Sequence, residues 1–192
     1  ADFAREAALT DAATAKAAGG SRRDGLFVRP GDVIALTDKM DANGRLTWNA
    51  PAGRWVVLRI GYTLTGAQNA HDASRGATDA GRGLEPDKFD PRGIESTFEN
   101  FMAKLIQDVG SLTGKALAFS HIDSWEIGSQ TWTEKFREEF RKRRGYDMTP
   151  WLPVMAGGRV VASRDQSDRF LWDLRRTYGD LIAENYLGRM GI

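Results

Sequence analysis

The chain has 192 residues, with 27 Lys+Arg against 26 Asp+Glu, two His and no Cys. A net charge of +1 supplies no global field toward nucleic acid or an anionic membrane, and 41% hydrophobic content is too apolar for wholesale disorder. The lack of cysteine excludes disulfides, thiolate metal sites and cysteine nucleophiles. No apolar run approaches the roughly 18 residues of a membrane span. The length suits one sizeable core but falls short of a complete (β/α)8 barrel, which needs roughly 250 residues. The chain starts at Ala1 without a basic-then-apolar leader, as a processed chain or an excerpt would.

Residues 1–24 are rich in Ala and run through Gly19-Gly20 into Ser21-Arg22-Arg23-Asp24, which reads as a weak helix or a loose arm. Residues 25–65 read as β structure. Val33-Ile34-Ala35-Leu36 is a short apolar run, and Asn43-Gly44 predicts a two-residue hairpin turn ahead of Arg45-Leu46-Thr47-Trp48. Pro51-Ala52-Gly53 is a second turn. Trp55-Val56-Val57-Leu58-Arg59-Ile60 predicts a strand covered on both faces. Residues 66–89 show little periodicity, as a functional or disordered loop does, and end in Gly83-Leu84-Glu85-Pro86-Asp87-Lys88-Phe89.

The pattern then changes to helix, strand, helix, helix. Asp90 with Pro91 predicts a capped helix start; Ile94, Phe98, Phe101, Met102, Leu105, Ile106 and Val109 form its apolar stripe and Gly110 its stop. Leu117-Ala118-Phe119-Ser120-His121-Ile122 predicts a buried strand that runs into Asp123-Ser124-Trp125-Glu126. Thr131 and Glu134 have the spacing of a capping box, with Trp132, Phe136 and Phe140 toward the core and Gly145 as the stop. Glu138 precedes Lys142, and Glu139 precedes Arg143, in the favourable i,i+4 order. After a loop at Pro150, Pro153 and Gly157-Gly158, a last helix over about 165–187 presents Phe170, Leu171, Leu174, Tyr178, Leu181, Ile182 and Asn185 on one face. Strands alternating with helices argue for an α/β class with a parallel sheet. Two strands beside three or more helices leave helix faces unburied, so the chain reads as part of a larger α/β unit.

In α/β barrels the reacting groups sit at the carboxyl ends of strands. Asp123, Trp125 and Glu126 follow such an end. A carboxylic acid, a second carboxylate and an aromatic face are what glycoside hydrolysis needs. The competing reading is a solvated loop with Trp125 in the core. Gln130 offers a hydrogen bond to a hydroxyl. Trp132 offers a face for a pyranose, although its spacing with Phe136 and Phe140 favours core packing. Glu85, Asp87 and Lys88 suit either a ligand's hydroxyls or a hard cation, or else a turn whose acids face water. His121 in its strand reads as structural, and His71 lies in the loop. No zinc spacing, serine elbow or phosphate loop occurs. Arg141-Lys142-Arg143-Arg144 reads as a solvated helix face, which leaves no nucleic-acid partner.

These strings resemble glycoside hydrolase family 106, the α-L-rhamnosidases. The resemblance rests on Gly83–Lys88, on His121–Thr133, and on Phe136–Phe140 through Arg143-Arg144-Gly145-Tyr146-Asp147. Asp38-Lys39-Met40 to Trp55, Gly61-Tyr62-Thr63 through Gln68-Asn69, and Phe170-Leu171-Trp172-Asp173 through Glu184-Asn185-Tyr186 extend it. It implies a partial (β/α)8 (TIM) barrel with a β-hairpin-rich N-terminal part: an arm over 1–24 and a barrel fragment over 25–192. It implies release of terminal L-rhamnose from a glycan or glycoside with inversion, with Glu126 as general acid. Asp123, Trp125, Gln130, Trp132, Glu85, Asp87 and Lys88 become sugar-binding candidates. The partner base is expected beyond Ile192, a calcium ion near the sugar hydroxyls, and a periplasmic or extracellular location. The loop Ala70-His71-Asp72-Ala73-Ser74-Arg75 departs from the family by lacking prolines. The competing expectation is a non-catalytic carbohydrate-binding or structural fragment. An isolated barrel piece would expose sheet edges and apolar helix faces, and so be poorly soluble, oligomeric or marginally stable.

Overall fold

The computed structural model describes residues 27–68, 83–121, 128–156 and 158–191. The expected arm over 1–24, His71, and the strand end with Asp123, Trp125 and Glu126 lie outside the described residues. In chain order the elements are strand β1 (Phe27–Val28), helix α1 (Pro91–Thr97), helix α2 (Ala103–Val109), helix α3 (Phe136–Arg144), helix α4 (Leu152–Ala156), strand β2 (Val160–Val161), helix α5 (Arg164–Ile182) and helix α6 (Gly188–Met190). A π-helical turn, Phe98–Met102, joins α1 to α2, and another, Ala183–Leu187, joins α5 to α6. The architecture is mixed and helix-rich, with one two-stranded parallel sheet among the described residues. No helix among them is long and apolar enough to cross a membrane. The chain gathers into two compact units, Ala1–Gly61 with Arg137–Thr177 and Tyr62–Phe136 with Tyr178–Ile192.

In the first unit β1 and β2 pair in register, Phe27 beside Val160 and Val28 beside Val161, and the N–H of Ala162 extends the pairing to the Val28 carbonyl at 2.8 Å. The buried Ser167 side chain, in the first turns of α5, accepts the N–H of Val161 and donates to its carbonyl, both at 2.9 Å. The core is aromatic. Phe140 meets Tyr146 edge-on at 5.1 Å, and Phe170 lies 5.8 Å from Phe140 and stacks on Trp151 at 5.9 Å. Met148, Val154, Val161 and Leu174 are buried with them. The Tyr146 hydroxyl donates to Asp173, and the Asp173 carbonyl accepts from the buried Thr177 hydroxyl at 2.8 Å. Burial and then the Asp173 carboxylate push the Tyr146 pKa well above its ordinary value.

The hairpin at Asn43-Gly44 forms, but with a different turn. Asp41 accepts the backbone N–H groups of Asn43 and Arg45 on its side chain, each at 2.9 Å, and only Gly44 takes a positive φ, +77°. This is a tight turn followed by a left-handed glycine rather than two left-handed residues. The expected strand Trp55–Ile60 belongs to no ladder, and all six residues are exposed. An extended run becomes a strand only when a neighbour takes up its N–H and C=O groups, and no such neighbour is found among the described residues.

In the second unit Asp90 caps α1 as expected. Its side chain accepts the N–H of Arg92 at 2.9 Å, with Pro91 in the first turn. Gly110, at φ +55°, ends α2. Yet α1, α2 and the turn between them bury none of their residues. The buried apolar residues described in this unit are Phe89, Phe136 and Leu181. Phe89 stacks on Tyr178 at 5.5 Å and 7°, and Phe136 lies 5.2 Å from Tyr178. Of the predicted strand over 117–122 the described residues form a single bridge, Leu117 to Thr113, after which Ala118–His121 are exposed, Phe119 at 83%, and Ile122 lies outside them. The capping box at Thr131 does not start α3: the helix begins at Phe136, whose N–H bonds the Thr133 carbonyl at 3.1 Å. Thr133 is engaged elsewhere, by the acid described next.

Candidate active site

Two sequence segments more than 40 residues apart meet in the second unit. The turn Glu85–Phe89 leads into α1, and the stretch Gln130–Thr133 leads into α3. Asp87 is the knot between them. Its Oδ1 accepts the N–H of Phe89 at 2.9 Å and a hydrogen from Gln130 Nε2, and its Oδ2 accepts the Thr133 hydroxyl at 2.5 Å. Gln130 uses its other end as well, accepting the Lys88 N–H at 2.9 Å on Oε1, while Nε2 also reaches the Trp132 carbonyl at 3.1 Å. Thr133 is 5% exposed. Hydrogen bonds to an ionised carboxylate are the short, strong ones, so this clasp fixes both segments at once.

Lys88 is buried and forms a 2.6 Å ion pair with Glu85, with its ammonium also 5.7 Å from the centre of the Tyr186 ring. A buried charge needs such partners. Tyr186 comes from the π-helical turn after α5. In the same turn Asn185 Nδ2 donates to the Phe89 carbonyl at 2.6 Å. π-helical turns frequently mark functional positions in helices. Beside the clasp, Trp132 lies 5.0 Å from Phe136 and 6.1 Å from Tyr62, ring centre to ring centre. Tyr62 is 63% exposed, so the row of rings runs from solvent inward to Phe136. The Glu85 N–H bonds the Ala67 carbonyl at 3.0 Å and Gln68 bridges Leu84, which pins the segment after Tyr62 beside the acidic turn.

The start of α1 closes the cluster from another side. A Cβ on Gly93 would lie 3.1 Å from Asp87 N and overlap the Asp87 carbonyl oxygen. Only glycine lets the helix come this close. At the mouth of α1, Asp90 is paired with Arg92, whose guanidinium bonds hold its carboxyl below the usual range.

Five of the sequence candidates therefore converge: Glu85, Asp87, Lys88, Gln130 and Trp132. Asp123, Trp125 and Glu126, four to seven residues before Gln130 in the chain, lie outside the described residues. His121 is exposed and ends its described segment. Sequence reasoning missed Thr133, Tyr62, Tyr186, Asn185 and Gly93. Thr133 was obscured by the capping-box spacing of its neighbours. Tyr62, Asn185 and Tyr186 lie in strings that carry the family resemblance, which was the available signal. The first unit holds an open hollow of about 480 Å³. Its walls include Trp48, Trp55, Val57 and Leu152, and it has the apolar character of a packing surface rather than a paired-acid site.

The sequence model of the glycosyl hydrolase 106 family, described as alpha-L-rhamnosidase, matches residues 1–191. The chain belongs to the α-L-rhamnosidase family. Its fold is similar to the structure of a rhamnosidase from Novosphingobium sp. PP1Y, with a TM-score of 0.69 and 38% identity over 84% of this chain and 15% of that one. It is also 41% identical over 155 residues to a protein of Formosa agariphila that carries the name beta-glucuronidase. That alignment covers 81% of this chain and 13% of the relative, so the rhamnosidase-family chain spans a small part of the length of the proteins it resembles.

Proposed function

We propose that this chain forms part of the (β/α)8 catalytic domain of an inverting α-L-rhamnosidase. The observation that carries the reading is the junction of Glu85, Asp87 and Lys88 with Gln130 and Trp132, in a chain of the rhamnosidase family. It joins the acidic turn to the stretch that begins four residues after Glu126 in the chain. In this reading Glu126 protonates the glycosidic oxygen, a second carboxylate supplied outside this chain activates water on the opposite face, and roughly 6.5–9.5 Å separates the two for that water. A raised pKa on Glu126 would suit the acid role. Asp123 and Trp125 are the further sugar-binding residues of this reading.

Among the described residues the charges favour a neutral sugar. A glucuronide, the substrate class suggested by the beta-glucuronidase relative, brings a carboxylate that wants a cation. Lys88 is already neutralised by Glu85, and with Asp87 the three residues carry two negative charges against one positive. Rhamnose has no charge to conflict with this. The calcium ion that the resemblance implies would need oxygen ligands besides Glu85 and Asp87, which are engaged by Lys88, Gln130 and Thr133.

The test is release of the aryl group from an aryl α-L-rhamnoside and from an aryl β-glucuronide, by this chain and by the longest polypeptide that contains it. Rhamnoside turnover is expected from the longer polypeptide. Glu126→Gln should lower it about 100-fold or more on rhamnosides with poor leaving groups, the usual weight of a general acid. Glucuronide turnover without rhamnoside turnover, or an unaffected Glu126→Gln, would overturn the reading.

A further inference from the structure

Of the five asparagines in the chain, Asn43 alone precedes a glycine. That dipeptide carries a reactivity of its own. The main-chain nitrogen after an asparagine can attack the asparagine side chain, and glycine, lacking a Cβ, crowds that nitrogen least. The Asn43 side chain is free to react: the residue is exposed, and no described residue bonds its carboxamide. The nitrogen is not free. The Gly44 N–H is given to the Asp41 carbonyl at 2.9 Å, so its proton is held inside the turn. The turn in turn hangs on Asp41. Its Oδ1 accepts the N–H groups of Asn43 and Arg45, each at 2.9 Å, and its own N–H bonds the Arg45 carbonyl at 3.0 Å. Bonds from a side-chain oxygen to nearby main-chain N–H groups fix a turn in this way. Met40 bridges Leu46 just outside it.

We propose that Asn43-Gly44 is a self-modification site, converting to aspartate and isoaspartate, and that Asp41 is the guard that keeps it closed in the folded protein. The chemistry needs only water and base. Hydroxide takes the Gly44 amide proton, the nitrogen attacks Cγ of Asn43, and a cyclic imide forms. The Cγ–Nδ2 bond breaks, and Nδ2 leaves as ammonia with a proton returned by water. Water then opens the imide. Attack at Cγ leaves aspartate, and attack at the main-chain carbonyl leaves isoaspartate, whose chain runs through the side-chain carbons. Either product puts a carboxylate where a neutral amide was. Arg59 stands at this turn, since a Cβ on Gly44 would lie 2.9 Å from its guanidinium. Isoaspartate also lengthens the main chain between the two halves of the hairpin, so the Met40–Leu46 bridge loses its register. Met40, Gly44 and Leu46 line the hollow of the first unit, whose wall changes with them.

The experiment follows Asn43 by peptide mapping, as a gain of one mass unit, in the longest polypeptide that contains this chain, incubated in mildly alkaline buffer. A synthetic peptide of residues 39–47 gives the unguarded rate. The readout is independent of any glycosidase activity. The folded parent is expected to react at least about tenfold more slowly than the peptide, because the reaction waits for the turn to open. Asp41→Ala, which removes both side-chain bonds, should speed the reaction about tenfold over the parent. Asp41→Asn, whose side-chain oxygen still accepts, should stay within about threefold of the parent. Hydrogen exchange at the Gly44 amide needs the same opening, so in Asp41→Ala it should rise by the same factor. Asn43→Gln should remove the mass gain and so confirm the position. A parent as fast as the peptide overturns the guard. So does an Asp41→Ala variant that reacts at the parent's rate, or one whose Gly44 exchange rises while its deamidation does not. A peptide that does not react overturns the site itself. Should Asp41→Ala fail to fold, the parent decides alone: unless its Gly44 exchange and its deamidation both run at least about tenfold below those of the peptide, the proposal is wrong.

Discussion

Helix α5 and the α1–α2 pair carry the same kind of apolar stripe and meet opposite fates. On α5, Phe170, Leu174 and Leu181 are buried. On α1, α2 and their connecting turn no residue is buried, and Phe101 is 61% exposed. The stripe on a helix records a demand for a partner, and the partner comes from elsewhere in the chain. The segments that answer α5 are inside the described residues: the aromatic rings of α3, and Val161 beneath it. Among the described residues no segment buries the stripe of α1–α2 or the extended run Trp55–Ile60.

The contrast can be broken most sharply at Phe140. Phe140→Ala removes a fully buried ring from between Tyr146 and Phe170, and a loss of about 3–5 kcal/mol of stability is expected, read by chemical denaturation. Asp90→Ala comes next. It removes a helix cap, for a loss of about 1 kcal/mol. Because the hydrogen bond from Arg92 lowers the Asp90 pKa below 3.8, this contribution is complete above that ordinary value and disappears as pH falls through the lower folded one. A stability profile against pH should therefore show an acid-side fall in the parent that is reduced in Asp90→Asn, which still caps the helix. The exposed Arg92 keeps this effect small. Phe101→Ser is the smallest change, within about 0.5 kcal/mol, since the ring is largely in water already. It should reduce self-association in a sedimentation experiment. A large destabilisation by Phe101→Ser would show that the Phe101 side of the pair does have a partner and erase the contrast.

The parts legible in the sequence are those decided locally or by one helix face. The Asp90-Pro91 start, the stops at Gly110 and Gly145, and the buried Phe136, Phe140, Phe170, Leu174 and Leu181 all follow from capping, φ preference and 3.6-residue spacing. The residues of the acidic turn and the Gln130–Trp132 stretch were legible as chemistry, one cluster at a time. Their union was not, because it depends on hydrogen bonds spanning 42 to 46 residues. The same long-range bonds explain the misread helix start. Thr133 gives its hydroxyl to Asp87, and α3 begins three residues later. Trp55–Ile60 and the described part of the other strand, Leu117–His121, failed as strands for the complementary reason, that strand pairing is a property of two segments and composition speaks for one.

The bare Cα of Gly93 has a thermodynamic consequence for whatever the site holds. Because the helix rests directly on the peptide of Asp87, the acidic turn has no slack to lose when a ligand arrives. Its ordering entropy is already spent in folding, so a ligand that meets the turn has little of it left to lose on binding. A methyl group at that one position would lift the helix off the turn and return the entropic penalty to the binding step.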